Sequence, residues 1–476
     1  MSRFRPSDNE QLPVARPDSL NRRAPVATVP PVRRPAFPPA QVTPIAFQQP
    51  RIVAAPPVNA THNLALLFSL GFIFVSFSFA HEVIGVTLGI RSFLPWLFGI
   101  PAFFGFLFCG GLPTLWRGAT ARLFIAYSLW LIVTVFFSSW PGGSFTLLRT
   151  YFQTAFIPFL LVGGLVVTLR DFRRLLYVIA AAGLFNELTG RYLGSTDDGG
   201  RMFLRTDMSI GNSNDFAAHL ILLLPILWFA IRSKAMPFIL RVACVAAIPY
   251  GLYLILRTGS RGALVGLGAL YLCVLLLMKG SQRVLGAFAL PLIGILVLAA
   301  VPSAVSSRLN TVFSKDNSIG NEEAYESKLG REYLFRRSLE LTVQHPLLGV
   351  GPGEFYNVEG EQAAAKGRRG NWMQTHNSYT QISSEAGIPA AILLIICLAV
   401  GLKNCIRIRR EAYRRQNQDL ASAASVVIMG VVGFCAAAFF LSLAYRFYFP
   451  VIAGMLTALP AIAQAQFSAS NSSSPA

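Results

Sequence analysis

Residues 423–443 read AASVVIMGVVGFCAAAFFLSL, an unbroken apolar run without one charged side chain. A helix rises 1.5 Å per residue, so about 20 such residues span the roughly 30 Å hydrocarbon layer of a bilayer. Similar runs recur at about 64–80, 92–109, 121–139, 151–169, 174–190, 216–231, 237–256, 262–278, 284–302, 387–402 and 447–465. They predict an all-α integral membrane protein of about twelve transmembrane helices, the first group within 61–302 and the last within 387–466. Composition agrees. Of 476 residues, 54% are hydrophobic and 13% charged, and mean hydropathy is +0.52, whereas soluble domains carry about 25% charged residues.

Three segments lie outside the runs. Residues 1–60 hold nearly half of the 29 prolines with the paired basic residues Arg22, Arg23, Arg33 and Arg34. They bury too little apolar surface to fold, which predicts a disordered cytoplasmic tail, and they lack the apolar core of a signal peptide. Residues 467–476 are expected to form a second disordered tail. Residues 303–386 make one large extracytoplasmic loop containing short helices. From Arg331 to His345, Phe335, Leu339 and Val343 recur every fourth residue. That spacing predicts an amphipathic helix that either caps the bundle or rests on lipid.

The formal net charge of +19 could signal nucleic acid, but its distribution argues otherwise. With the N-terminal tail inside, the short loops on its side carry about twice the Lys and Arg of those opposite, the positive-inside bias. The densest inner cluster is Lys403, Arg407, Arg409, Arg410, Arg414 and Arg415. Both termini are therefore placed in the cytoplasm, the bilayer is the expected partner and nucleic acid is not. The six cysteines, five in apolar runs and Cys405 in a basic loop, show neither disulfide framework nor zinc spacing.

Absences narrow the chemistry. There is no GxxxxGK[ST] phosphate loop, and His81-Glu82 lacks the second histidine of a HExxH zinc site. Asp197-Asp198 are adjacent, so their side chains diverge; they read as a solvated turn rather than a metal site. No metal and no cofactor are expected. What remains is a set of arginines on the outer side and one histidine. Arg201 and Arg205 precede the Gly/Asn-rich turn Ser209–Asn214, and Arg257 and Arg261 flank Thr258-Gly259-Ser260. Guanidinium groups bind phosphate oxygens bidentately and stay charged at working pH, and a helix N-terminus adds backbone donors. Two such clusters could clamp a diphosphate. The alternative is that juxtamembrane arginines reach lipid headgroups. For Arg261, set between glycines, ligand binding is the stronger reading. The long loop ends in Thr375-His376-Asn377-Ser378-Tyr379, with Glu385 just before Gly387. A histidine can take a proton from a hydroxyl, and a carboxylate could fix its tautomer; the alternative is a structural, hydrogen-bonded imidazole.

Taken together, Arg201 to Asn214, Ser260-Arg261-Gly262-Ala263, Gly330-Arg331 followed by His345-Pro346-Leu347-Leu348-Gly349-Val350-Gly351, and His376-Asn377 through Gly387 resemble the O-antigen ligase and O-antigen polymerase family of bacterial envelope proteins. The likeness spans roughly 60–465. It implies a glycosyltransferase of the bacterial inner membrane with its active site on the periplasmic face. Such an enzyme moves a glycan from a polyprenyl-diphosphate carrier to an acceptor hydroxyl on a glycan or lipid A core, without nucleotide or metal, alongside other polysaccharide-assembly proteins. By position, His376 would activate the acceptor, Arg261 and Arg205 would meet the diphosphate, and Arg201, Arg257, Arg331, Asn214, Asn377, Tyr379 and Glu385 would bind substrate. Asn212-Ser213-Asn214 stands where the family more often has Asn-Pro-Asn. Rival readings are a protein O-oligosaccharyltransferase of the same family and a flippase for lipid-linked sugars. Against transport, the runs hold few ionisable groups, chiefly Glu187 and His219, and no half-to-half repeat.

Overall fold

In hydrocarbon every backbone N–H and C=O must be bonded within the protein, which leaves an apolar run little choice but helix. A computed structural model describes residues 59–197, 200–204, 212–303, 305–306, 322–367 and 372–472, without the side chains of 322–328 and 470–472. These fall in the unit Ala54–Ala476. The proline-rich tail, Arg205 and the middle of the long loop lie outside the described residues.

Each expected run coincides with a helix. The order begins α1 (Ala60–Ser78), α2 (Ala80–Leu88), α3 (Leu94–Phe108), α4 (Gly111–Trp116) and α5 (Ala119–Val135). Next come α6 (Pro141–Thr150), joined by a π-turn to α7 (Phe156–Leu165), and α8 (Leu169–Leu193). The sequence continues with α9 (Ser213–Arg232), α10 (Phe238–Arg257), α11 (Arg261–Leu277) and α12 (Ser281–Ala299). The last group is α13 (Glu322–Gln344), α14 (Phe355–Ala365), α15 (Ser378–Arg414), α16 (Gln418–Ala438) and α17 (Tyr448–Ser472). Among the described residues, 8 helical segments are long and apolar enough to cross a membrane: α1, the α6–α7 segment, α9, α10, α12, α15, α16 and α17. Helices α3, α5 and α11 are apolar but shorter, and α8 carries Arg170, Asp171, Arg173 and Arg174 in its first turns. The expected twelve runs are thus helices of unequal kind. The last continues to Ser472, past the boundary expected at 466.

Burial orders the bundle. The apolar windows of α9, α16 and α17 are 72%, 72% and 78% buried, whereas that of α12 is 6% buried. The first three form the centre and α12 the rim. Helix α9 packs on α10 and α16, α11 on α16, α7 on α17, and α5 on α15. One element escapes the all-helical expectation: Gly194–Thr196 and Met202–Leu204 pair as a short antiparallel hairpin, β1 and β2, too brief for periodicity to show.

Helix α15 breaks at Gly387, where φ is 82° and ψ 169°, a region essentially reserved for glycine. A Cβ there would lie 2.0 Å from the Leu347 carbonyl oxygen. Breaking a helix leaves carbonyls without intrahelical donors, and all three preceding ones are met. Ser384 O accepts from Val350 N–H at 2.9 Å and Glu385 O from Gly351 N–H at 2.8 Å. Ala386 O accepts from Trp130 Nε1 at 3.0 Å. Beyond the break, Ile388 N–H donates to Pro346 O at 2.8 Å.

The loop helix α13 does form, and it packs on α15, but the stripe expected to be its buried face is not. Leu339 and Val343 are 42% and 76% exposed; Leu334, Ser338 and Leu341 are buried, with Arg337 and Thr342 beside them. Thr342 Oγ1 and Ser383 Oγ lie 2.8 Å apart, so small polar side chains occupy the contact where an apolar count expects none. Leu334, Leu341, Val350, Phe355 and Val358 give the loop a core of its own.

Candidate active site

The site is built on the irregular segment 439–447 between α16 and α17. Its backbone groups lack helical partners and need others, and the start of α15 supplies them. Ser378 Oγ donates to Leu441 O at 2.7 Å and accepts from Leu443 N–H at 3.0 Å. Gln381 Oε1 accepts from Ala444 N–H at 3.3 Å. Ser442 Oγ accepts the His376 N–H at 2.9 Å. His376 sits at φ 51°, the left-handed region in which non-glycine residues are uncommon. Asn377 follows as N-cap, its Oδ1 accepting from Tyr379 N–H at 2.9 Å and Thr380 N–H at 3.1 Å. Tyr379 Oη donates to Cys435 O at 2.8 Å. Asn377 and Tyr379, expected to bind substrate, therefore hold the loop that presents His376.

The imidazole is half-buried, and burial, with the Arg331 guanidinium as the second cause, pushes its pKa down to about 4. At neutral pH it is uncharged, with a ring nitrogen able to accept a proton. Arg331 thus lies within electrostatic reach of His376, although far from it in sequence.

The other arginines divide. Arg201 Nε donates to Thr258 O at 3.1 Å, and its Nη2 donates to Asn214 Oδ1 at 3.5 Å. Asp197 accepts the Arg201 N–H at 2.7 Å, so the aspartate closes the hairpin turn. Arg261 opens α11, whose N-cap Ser260 Oγ accepts from Ala263 N–H at 3.3 Å. The next residue, Gly262, lies against Phe440: a Cβ there would stand 2.6 Å from that residue's Cβ. The start of α11 and the His376 backbone thus both meet segment 439–447, at Phe440 and at Ser442. Arg446 on the same segment faces Asp215 of α9. Arg257 goes elsewhere: its Nη1 donates to Tyr253 Oη at 3.0 Å, and it lines a pocket of about 300 Å³ with Arg191 and Tyr250.

Glu385, expected beside the histidine, is fully buried and accepts the Gly353 N–H at 2.9 Å. From Ser378 to Glu385 the helix climbs roughly 10 Å, so this carboxylate pins the long loop at Gly353 rather than the imidazole. Ser442 and Arg446 are the residues that sequence reading passed over. No local signal marks them, because Phe439, Phe440 and Leu441 carry the apolar run on into the segment.

The architecture is that of a multi-helix membrane protein in which Arg331 lies within electrostatic reach of a half-buried imidazole. Residues 246–395 match a family model described as O-antigen ligase, which supports assignment to the O-antigen ligase family. The matched stretch contains Arg257, Arg261, Arg331, His376 and Glu385. No match was found among curated proteins.

Proposed function

We propose that the protein is a membrane glycosyltransferase that moves a glycan from a polyprenyl-diphosphate carrier to an acceptor hydroxyl at the periplasmic face of the bacterial inner membrane. The observation that supports this reading is that segment 439–447, which carries Arg446, meets the start of α11 next to Arg261 and the backbone of His376, with Arg331 within electrostatic reach of the imidazole. In the reaction the acceptor oxygen bonds to the sugar C1 and the bond from C1 to the diphosphate oxygen breaks. His376 takes the acceptor's proton, and polyprenyl diphosphate leaves. The charge growing on the leaving group needs fixed cations; guanidinium groups held in place do this without reorganising. Arg261, with Arg201 beside the same corner, fills that role, and Arg205 is assigned to it on family position alone. A base positioned on the hydroxyl typically adds 10²–10⁴-fold.

Complementation tests the reading. A strain lacking the gene should accumulate glycan on its lipid carrier, or carry glycans of one repeat unit, according to whether the enzyme is a ligase or a polymerase. His376→Ala should insert normally and fail to restore transfer. Wild-type transfer by that variant would refute the assignment.

A further inference from the structure

Helices α1 and α2 meet at Phe79, a non-glycine residue at φ 53°, a conformation that costs of order 1 kcal/mol or more. Its ring is held by burial, with centroids 5.3 Å from His219 and 5.9 Å from Phe447. The turn swings α2 out of line with α1 and sets His81 and Glu82 in a pocket of about 530 Å³, also lined by Arg91, Ser92, Phe93 and Trp96. That volume is typical of sites for small molecules. His81 Nε2 lies 3.6 Å from Glu82 Oε1, while Leu88, Ile90, Phe93 and Trp96 form a largely exposed apolar rim. The pocket is outside the candidate active site but joins it through packing: Phe79, at the turn that opens it, rests on Phe447, the neighbour of Arg446.

A polar floor with an apolar rim suits an amphiphile. Carboxylate, imidazole and serine hydroxyl are hydrogen-bond partners for sugar hydroxyls, the Trp96 indole offers a flat face to the apolar side of a pyranose, and the rim matches alkyl chains. On the glycan-transfer reading, we infer that this pocket binds the sugar headgroup of a membrane-anchored glycolipid, the acceptor of the reaction. The alternative occupant is bulk lipid, with Trp96 and Phe93 serving only as interface anchors.

The test uses the full chain in phosphatidylcholine vesicles doped with a diazirine-tagged glucosyl diacylglycerol, with cross-links mapped by peptide mass. Labelling is expected within residues 79–96, reduced about tenfold in Glu82→Gln and Trp96→Ala, retained in Trp96→Phe, and resistant to excess phosphatidylglycerol. Equal labelling by a diazirine-tagged phosphatidylglycerol, or undiminished labelling in correctly inserted variants, would overturn the inference. The readout is independent of catalysis, because labelling is scored without donor present, whereas transfer activity in His376→Ala would sink the transferase reading and leave the binding result standing.

Discussion

The depressed pKa of His376 makes the acid dependence of transfer the sharpest test of its environment. An imidazole at the ordinary value of about 6.5 is roughly nine-tenths protonated at about pH 5.5, whereas one at about 4 stays almost wholly neutral. Because kcat/KM reports the free enzyme, it is expected to hold level down to about pH 5 and to fall tenfold per unit only below about 4. Donor binding changes this. A diphosphate beside Arg331 cancels the guanidinium field that helps depress the pKa, so the acid limb of kcat should stand at higher pH than that of kcat/KM. Arg331→Gln should shift the free-enzyme limb upward too, but not to the ordinary value, because burial is the larger cause. Stability follows the same sign. Above about pH 6.5 neither state binds the proton. As pH falls from there towards 4 the unfolded chain takes it up first, so the folded state loses roughly 3 kcal/mol at about 1.4 kcal/mol per pKa unit. The assay is initial transfer rate against pH in proteoliposomes with lipid-linked donor. A kcat/KM limb near 6.5, or one indifferent to Arg331→Gln, would refute this account of the site.

Substitutions at three positions probe the scaffold and the cations. Gly387→Ala places a Cβ 2.0 Å from Leu347 O at φ 82°; a cost of at least about 1–3 kcal/mol should appear as a lower Tm in detergent. Ser442→Ala removes the acceptor of the His376 N–H, and loss of about 1 kcal/mol of positioning should lower kcat several-fold at unchanged insertion, with Ser442→Thr restoring it. Arg261→Lys keeps the charge but loses the planar fork, so donor KM should rise. Arg261→Ala should lower kcat by about 10²–10³-fold, and near-normal kinetics in both variants would remove Arg261 from the site.

The spans were legible because the bilayer imposes one requirement, an apolar helix, that composition alone satisfies; residues 216–231 and 423–438 needed no tertiary information. Segment 439–443 was not separable from the run before it, since Phe439, Phe440 and Leu441 are as apolar as a helix interior and only their hydrogen-bond partners mark the end. The buried face of α13 was hidden for the opposite reason. Its contact with α15 includes Thr342 and its buried face Ser338, and an apolar count selects Phe335, Leu339 and Val343 instead. His376 and Arg261 were nameable from motif and residue chemistry, but the nearness of Arg331 to His376 depends on how the long loop folds back, which no local pattern encodes.

That fold-back gives the His345–Gly351 stretch around Gly349 a physical meaning. Residues 346–351 and the break at Gly387 satisfy each other: the break frees the carbonyls of Ser384 and Glu385, and Val350 and Gly351 supply the N–H groups. Gly349, at φ 67°, would carry a Cβ 2.3 Å from the Glu385 carbonyl carbon, so only glycine lets the two backbones close. The Glu385 carboxylate then fastens Gly353. The start of α15, with His376 immediately before it, is consequently oriented by the long loop and by segment 439–447 rather than by lipid. On the transferase reading, a base held this way is expected to keep its distance from Arg331 when the bilayer around the bundle changes thickness, so the acid limb of kcat/KM should not move between proteoliposomes of short- and long-chain lipids; a limb that shifts with chain length would refute this.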